Sequence, residues 1–261
     1  MAATKENPII FYDLLSENGA WAPNPYRIRL TLNHKHIPYR LEYISFPDIA
    51  RILEELGVKP ANPVRGGEIK YTLPIIADPS PDPNGKPTYV ADSFNIAIYL
   101  DKTYPAPKYP VVFAPGTHVV QKITYELFSN EVGYAACPTI IPLIARPGFF
   151  DEHSREYFLR TRETYFKQTV DTSIGSKFCG ELHKKWDWFG EVPDLNEKGQ
   201  FVMGKQVSFT DFAIGGIIFF VRRVEGGDMQ IWKAIAEWQA GRWARHWAEI
   251  EQLEKNSSEV T

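Results

Sequence analysis

The chain has 261 residues, 44% of them hydrophobic and 23% charged, enough to bury a core in one large domain or two modest ones. Lys and Arg total 29 against 32 Asp and Glu, and the net charge of -3 excludes the electrostatic footprint of a nucleic-acid or anionic-membrane binder. Partners are therefore expected among small molecules or other proteins, with no nucleic acid and no membrane. The start, MAATKENPIIFYDLL, has no apolar stretch of signal-peptide length behind a basic segment, and the longest apolar run, residues 217–221, is too short to span a bilayer. The expectation is a cytoplasmic protein.

Cys137 and Cys179 lie far apart with no CxxC, His34 and His36 point to different faces of a helix, and there is no HExxH. Neither a disulfide framework nor a metal site is expected.

The first hundred residues alternate short strands with short helices. Ile9–Leu14 is an apolar run of strand length, followed by a loop over 16–23. Asn24 before Pro25 fits an N-cap with proline at the first helical position, so a helix is predicted to start there and run through Leu32. Tyr39–Ile44 alternates as a second strand, and 48–56 places Ile49, Ile52, Leu53 and Leu56 on one helical face with Gly57 as its stop. Thr72–Ile76 predicts a third strand containing Pro74, and the turn-rich segment 79–87 leads to a fourth at Tyr89–Ala91. A helix follows from Asp92-Ser93 to Tyr104.

The order βαβαββα is that of a thioredoxin-like α/β domain, because the right-handed crossover rule leaves few other arrangements. Pro74 has two readings, an edge-strand proline or a cis bond retained for ligand binding. The proline-rich residues 105–118 read as a linker. Beyond it, helical patterns over 119–136, 151–168, 177–189, 209–223 and 229–254 predict an all-α bundle. The expected domains are 1–104 and 119–261, with the tail 256–261 frayed.

These features together resemble the cytosolic glutathione transferases: Leu73-Pro74, then Asp92-Ser93 about twenty residues on, then Ile96–Leu100, and later Ser208-Phe209-Thr210-Asp211. Within that superfamily, Ala20–Asn24 with Leu32–Tyr39 is similar to the fungal-specific class A group, itself similar to bacterial glutathione-dependent β-etherases. The usual Ser-Pro of those groups is replaced here by Ala22-Pro23.

The resemblance implies glutathione as co-substrate, held by Leu73, Pro74, Asp92 and Ser93, with Lys35 among the contacts. It implies a cis Leu73-Pro74 bond that presents the leucine backbone to the cysteine part of glutathione. Physically, Asp92-Ser93 opens a helix whose free amides and positive dipole end suit the γ-glutamyl carboxylate. The serine hydroxyl can donate to that carboxylate and the aspartate can accept from the ammonium group. Read alone, the pair is an N-cap. By contrast, Ser208–Asp211 reads as a capping box with a purely structural role.

Such an enzyme keeps the glutathione thiol as thiolate, and a free thiol of pKa near 8.5 is mostly protonated at neutrality. Ala22 cannot donate to the sulfur. The remaining candidates are the Asn24 amide, Ser16 if its loop folds back, and the free N–H groups of the first helix. With no cysteine between Leu14 and Asn24, glutaredoxin-type chemistry has no nucleophile there. Both cysteines are expected to be packed thiols.

Trp21, Phe113, Tyr125, Phe128 and Tyr134, with Phe150, either line an apolar acceptor site between the domains or pack in the core. The expected function is conjugation or cleavage of apolar aromatic or phenolic compounds by the glutathione thiolate. The alternative is a ligandin-like carrier of such compounds. A scaffold that merely reuses the fold is disfavoured by the presence of both glutathione motifs. A homodimer is implied by the resemblance.

Overall fold

The computed structural model describes residues 3–60, 71–82, 84–166, 179–196, 199–227 and 229–261. Strand β1 (Ile9–Leu14) is followed by α1 (Pro23–His34), β2 (Tyr39–Ile44), a 3₁₀ turn at Phe46–Asp48 and α2 (Ile49–Glu55). Then come β3 (Ile75–Asp78), β4 (Thr88–Ala91) and α3 (Ser93–Thr103). The sheet order is β2-β1-β3-β4, with β1 parallel to β2 and antiparallel to β3, and β3 antiparallel to β4. This is the expected βαβαββα thioredoxin-like arrangement. Gly57 ends α2 with a left-handed φ of 71°, as a helix stop requires.

Register places the functional edge of this sheet. Ile75 faces Tyr12 on one side and Ala91 on the other, and Leu14 faces Ile44. The C-terminal ends of β1, β2 and β4 and the N-terminal end of β3 therefore share one edge.

The remaining described helices are α4 (His118–Phe128), α5 (Tyr134–Ile144), α6 (Glu152–Phe166), α7 (Cys179–Glu191), α8 (Phe209–Glu225) and α9 (Gln230–Lys255). They form the expected all-helical part. A π-helical turn at Ser129–Gly133 links α4 to α5, so the helical path runs eight residues past the predicted end at Ala136, through Pro138 and Pro142. The anticipated ends at Gln168 and Lys177 fall outside the described residues. Helix α9 is interrupted at Trp238–Gly241, where four residues leave helical geometry.

Two further expectations change. Helix α1 starts at Pro23 with Ala22 as N-cap, not at Pro25 with Asn24 as N-cap, because prolines at the first and third helical positions both suit a first turn. The tail is not frayed: Ser258 and Val260 bond the backbone of Tyr39 at 3.2 and 2.8 Å, covering the open edge of β2. Ser258 N–H also donates to Asn33 Oδ1 at 2.9 Å.

Helix α1 joins the sheet to the helical bundle. Tyr26 stacks on Phe219 with centroids 3.7 Å apart, and its hydroxyl donates to Glu254 at 2.9 Å. Ser208 and Asp211 form the expected capping box on α8: Asp211 accepts from Ser208 N–H at 2.9 Å and Ser208 Oγ at 2.7 Å, and also from Val202 N–H at 2.8 Å.

Candidate glutathione site at the sheet edge

Leu73-Pro74 is a cis peptide bond, as the resemblance implied. It lies just before β3 rather than inside it, so the proline breaks no ladder bond and leaves the Leu73 backbone outside the sheet pairing.

Across β3, Asp92 and Ser93 leave β4 at the same edge. Asp92 caps α3, its Oδ1 accepting from the amides of Phe94 and Asn95 at 3.1 and 3.0 Å. The N-cap reading is therefore correct for one oxygen of this carboxylate. Asp92 has φ 73° and ψ 126°, a backbone state that costs a non-glycine residue about 1–3 kcal/mol and that recurs at ligand clamps. Ser93, the first residue of α3, is buried.

The position to which the resemblance assigns the thiol, Ala22, lies at the start of α1. Pro23 and Pro25 remove two of the four amides that a helix start leaves free, so only the N–H groups of Ala22 and Asn24 remain. The exposed Asn24 side chain sits at the second helical position. Ser16 does fold back in its loop, but its hydroxyl donates to the Gly19 carbonyl at 2.6 Å and is thereby committed.

Lys35 is not at this edge. It lies beyond the far end of α1, about 18 Å from the first turn at 1.5 Å per residue. Its side chain is 0% exposed and donates to Asp101 at 2.7 Å and to the Pro110 carbonyl at 2.8 Å. Burial lowers its pKa and Asp101 opposes that shift. Asp101 also accepts from the amides of Val112 and Phe113, so Lys35 is engaged in anchoring residues 110–113, away from the edge shared by Leu73-Pro74 and Asp92-Ser93.

The aromatic candidates separate into different places. Phe113 and Tyr125 pack with Phe94 around Phe209, centroids 5.1–6.0 Å apart. Phe128 is fully buried against Trp186 and Phe189, a core residue of the helical part. Tyr134 is exposed on α5. Trp21 alone adjoins the thiol position, in a cluster with Phe46, Phe149, Phe150 and Phe220. Phe46 and Phe149 were not singled out from the sequence; they lie in short turns with no periodic signal. Cys137 is partly buried and its thiol is pushed up to about 11 by burial, which fits a packed, unreactive thiol. The side chain of Cys179 falls outside the described residues.

A thioredoxin-like sheet with a cis-proline and an Asp-Ser helix start at one edge, followed by a helical bundle, defines a class of glutathione-binding proteins. The sequence pattern of the glutathione S-transferase N-terminal domain matches residues 21–103, and that of the C-terminal domain matches residues 120–253. The chain belongs to the glutathione S-transferase family. It is 28% identical over 274 residues to the glutathione S-transferase-like protein ustS of Aspergillus flavus, covering 99% of this chain and 96% of the other.

Among solved structures, the glutathione S-transferase CsGST63524 of Ceriporiopsis subvermispora, in complex with glutathione, is 32% identical with a TM-score of 0.85, covering 95% of this chain and 98% of that one. GSTFuA3 of Phanerochaete chrysosporium is 30% identical with a TM-score of 0.84, covering 94% and 97%. The likeness to fungal proteins agrees with the class suggested by the sequence. Among the described residues no helix is long and apolar enough to cross a membrane, and no group of three or more His, Cys, Asp or Glu could hold a metal ion.

Proposed function

We propose that the chain binds glutathione along the sheet edge and presents its thiol at Ala22 to apolar aromatic or phenolic acceptors. The observation that carries this reading is the shared edge of Leu73-Pro74 and Asp92-Ser93. A peptide backbone there pairs with Leu73, its γ-glutamyl carboxylate meets the amide and hydroxyl of Ser93, and its ammonium group meets the free oxygen of Asp92. The thiolate takes hydrogen bonds from the Ala22 and Asn24 amides, with the Asn24 side chain as a further donor. Retention on glutathione resin, together with a conjugation assay against an aromatic electrophile, tests the reading.

A carrier role is the second reading, favoured by a specific feature: Ala22 lacks a hydroxyl, and the two prolines halve the amides left to stabilise the sulfur. Strong binding of aromatic compounds with negligible conjugation would support it. We further propose a cytoplasmic homodimer that covers the apolar ridge of α4, where Val119, Val120 and Ile123 are 60–71% exposed. Sedimentation of wild type against Ile123→Glu tests the dimer.

A further inference from the structure

Trp21, next to Ala22, is 5% exposed. Its indole is ringed by Phe46, Phe149, Phe150 and Phe220 with centroids 5.4–6.0 Å away. Phe158 extends the cluster, 5.8 Å from Phe46 and 5.5 Å from Phe150. These rings come from the β1–α1 loop, the turn after β2, the α5–α6 loop, α6 and α8. Within this apolar cage the Trp21 Nε1–H is buried and has no acceptor among the described residues. Indole nitrogen is a donor only, and a buried indole ordinarily finds a partner. None of the phenylalanines can supply one.

The wall of the cage is a short turn. Arg146 is fixed by its bond to the Val224 carbonyl at 2.7 Å, and Arg155 by its bond to the Ala145 carbonyl at 2.7 Å. Between these anchors, Gly148 at φ 82° swings Phe149 and Phe150 onto Trp21. The Phe149 carbonyl accepts from Glu17 N–H at 3.1 Å, which joins this turn to the loop leading to Ala22.

We propose that the Trp21 indole N–H is the specificity-determining donor for the acceptor compound: an aromatic molecule bearing a carbonyl oxygen packs against these rings beside Ala22 and accepts that hydrogen bond. This rests on the reading above that acceptors bind beside Ala22. The aromatic rings supply sequence-tolerant apolar contact, and the one buried donor selects oxygenated aromatics over hydrocarbons of the same shape. A site built around an unmet donor discriminates by leaving it unmet with the wrong ligand.

The test compares benzophenone with diphenylmethane, which has the same skeleton without the carbonyl, by equilibrium dialysis against the full chain. Wild type should bind benzophenone about five- to tenfold more tightly, the effect of one net hydrogen bond. Trp21→Phe should bring that ratio close to one. Replacement of Trp21 by 3-benzothienylalanine, which keeps the ring shape and puts sulfur where the N–H was, should do the same and guards against misfolding of the phenylalanine variant. A ratio of one in wild type, or a wild-type ratio retained in both replacements, overturns the proposal. So does binding of neither compound, and retention on glutathione resin then reports separately whether the glutathione reading stands.

Discussion

A Cβ built on Gly216 of α8 would stand 2.7 Å from the carbonyl oxygen of Pro23, the first residue of α1. The helix that carries the thiol position thus rests directly on α8, and only glycine permits the approach. Gly216→Ala should destabilise the protein by about 2 kcal/mol through overpacking, although alanine alone would favour a helix by roughly 1 kcal/mol. Because the clash falls on the first turn of α1, glutathione affinity should drop as well. Thermal melts and a glutathione titration of the variant check both effects.

Lys35 and Asp101 separate structure from binding. Removing one partner of a buried pair leaves the other uncompensated, at a cost of about 3 kcal/mol. Lys35→Met should lower stability by that order and leave the glutathione dissociation constant unchanged. A weakened dissociation constant in a folded variant would return Lys35 to the ligand site.

Asp211 accepts three hydrogen bonds and is fully buried. Asp211→Ala strands Ser208 N–H, Ser208 Oγ and Val202 N–H, and should cost about 3 kcal/mol, more than Ser208→Ala at about 1 kcal/mol. Chemical denaturation of the two variants measures the difference.

Burial pushes the Asp13 carboxyl up from 3.8 to about 6, with Arg29, 3.3 Å away, opposing the shift. Between about pH 4 and pH 6 the folded chain keeps a proton that the unfolded chain has released. This group's contribution to stability is therefore fully present below its unfolded pKa and lost as pH rises through its folded pKa, an effect on the order of 3 kcal/mol. In Asp13→Asn that titration is gone, so the stability advantage of wild type over the variant should grow as pH falls from 6.5 to 4. A difference independent of pH would contradict the assignment.

Ala22→Ser restores the hydroxyl expected in this class. A hydrogen bond to the thiolate contributes roughly 1.5–3 kcal/mol, so the pKa of the bound glutathione thiol should fall by about one to two units and conjugation should quicken. Thiolate absorbance against pH, for wild type and variant, reads the shift directly.

What was legible in the sequence was local. Asp-Ser before a helical period and the capping box at Ser208 each act within a few residues, and both appear where their spacing put them, whereas Pro74, expected inside the third strand, stands just before it. The first turn of α1 was misplaced by two residues because Pro23 and Pro25 give the same local signal. What was not legible depends on distant partners. Lys35 reads as a glutathione contact by resemblance, whereas in the fold Asp101 and the Pro110 carbonyl close over it, and the tail looks frayed until β2 offers the open backbone of Tyr39. The Trp21 cage is of the same kind, assembled from five separate elements.

The central claim, that glutathione is held at the shared edge of Leu73-Pro74 and Asp92-Ser93, is tested most directly by calorimetric titration of glutathione into wild type and Ser93→Ala. Wild type should bind one glutathione per chain, and Ser93→Ala should bind about tenfold more weakly, reflecting one lost hydrogen bond to a carboxylate with the amide of residue 93 still in place. No heat in wild type, or equal affinity in the two proteins, would contradict the account.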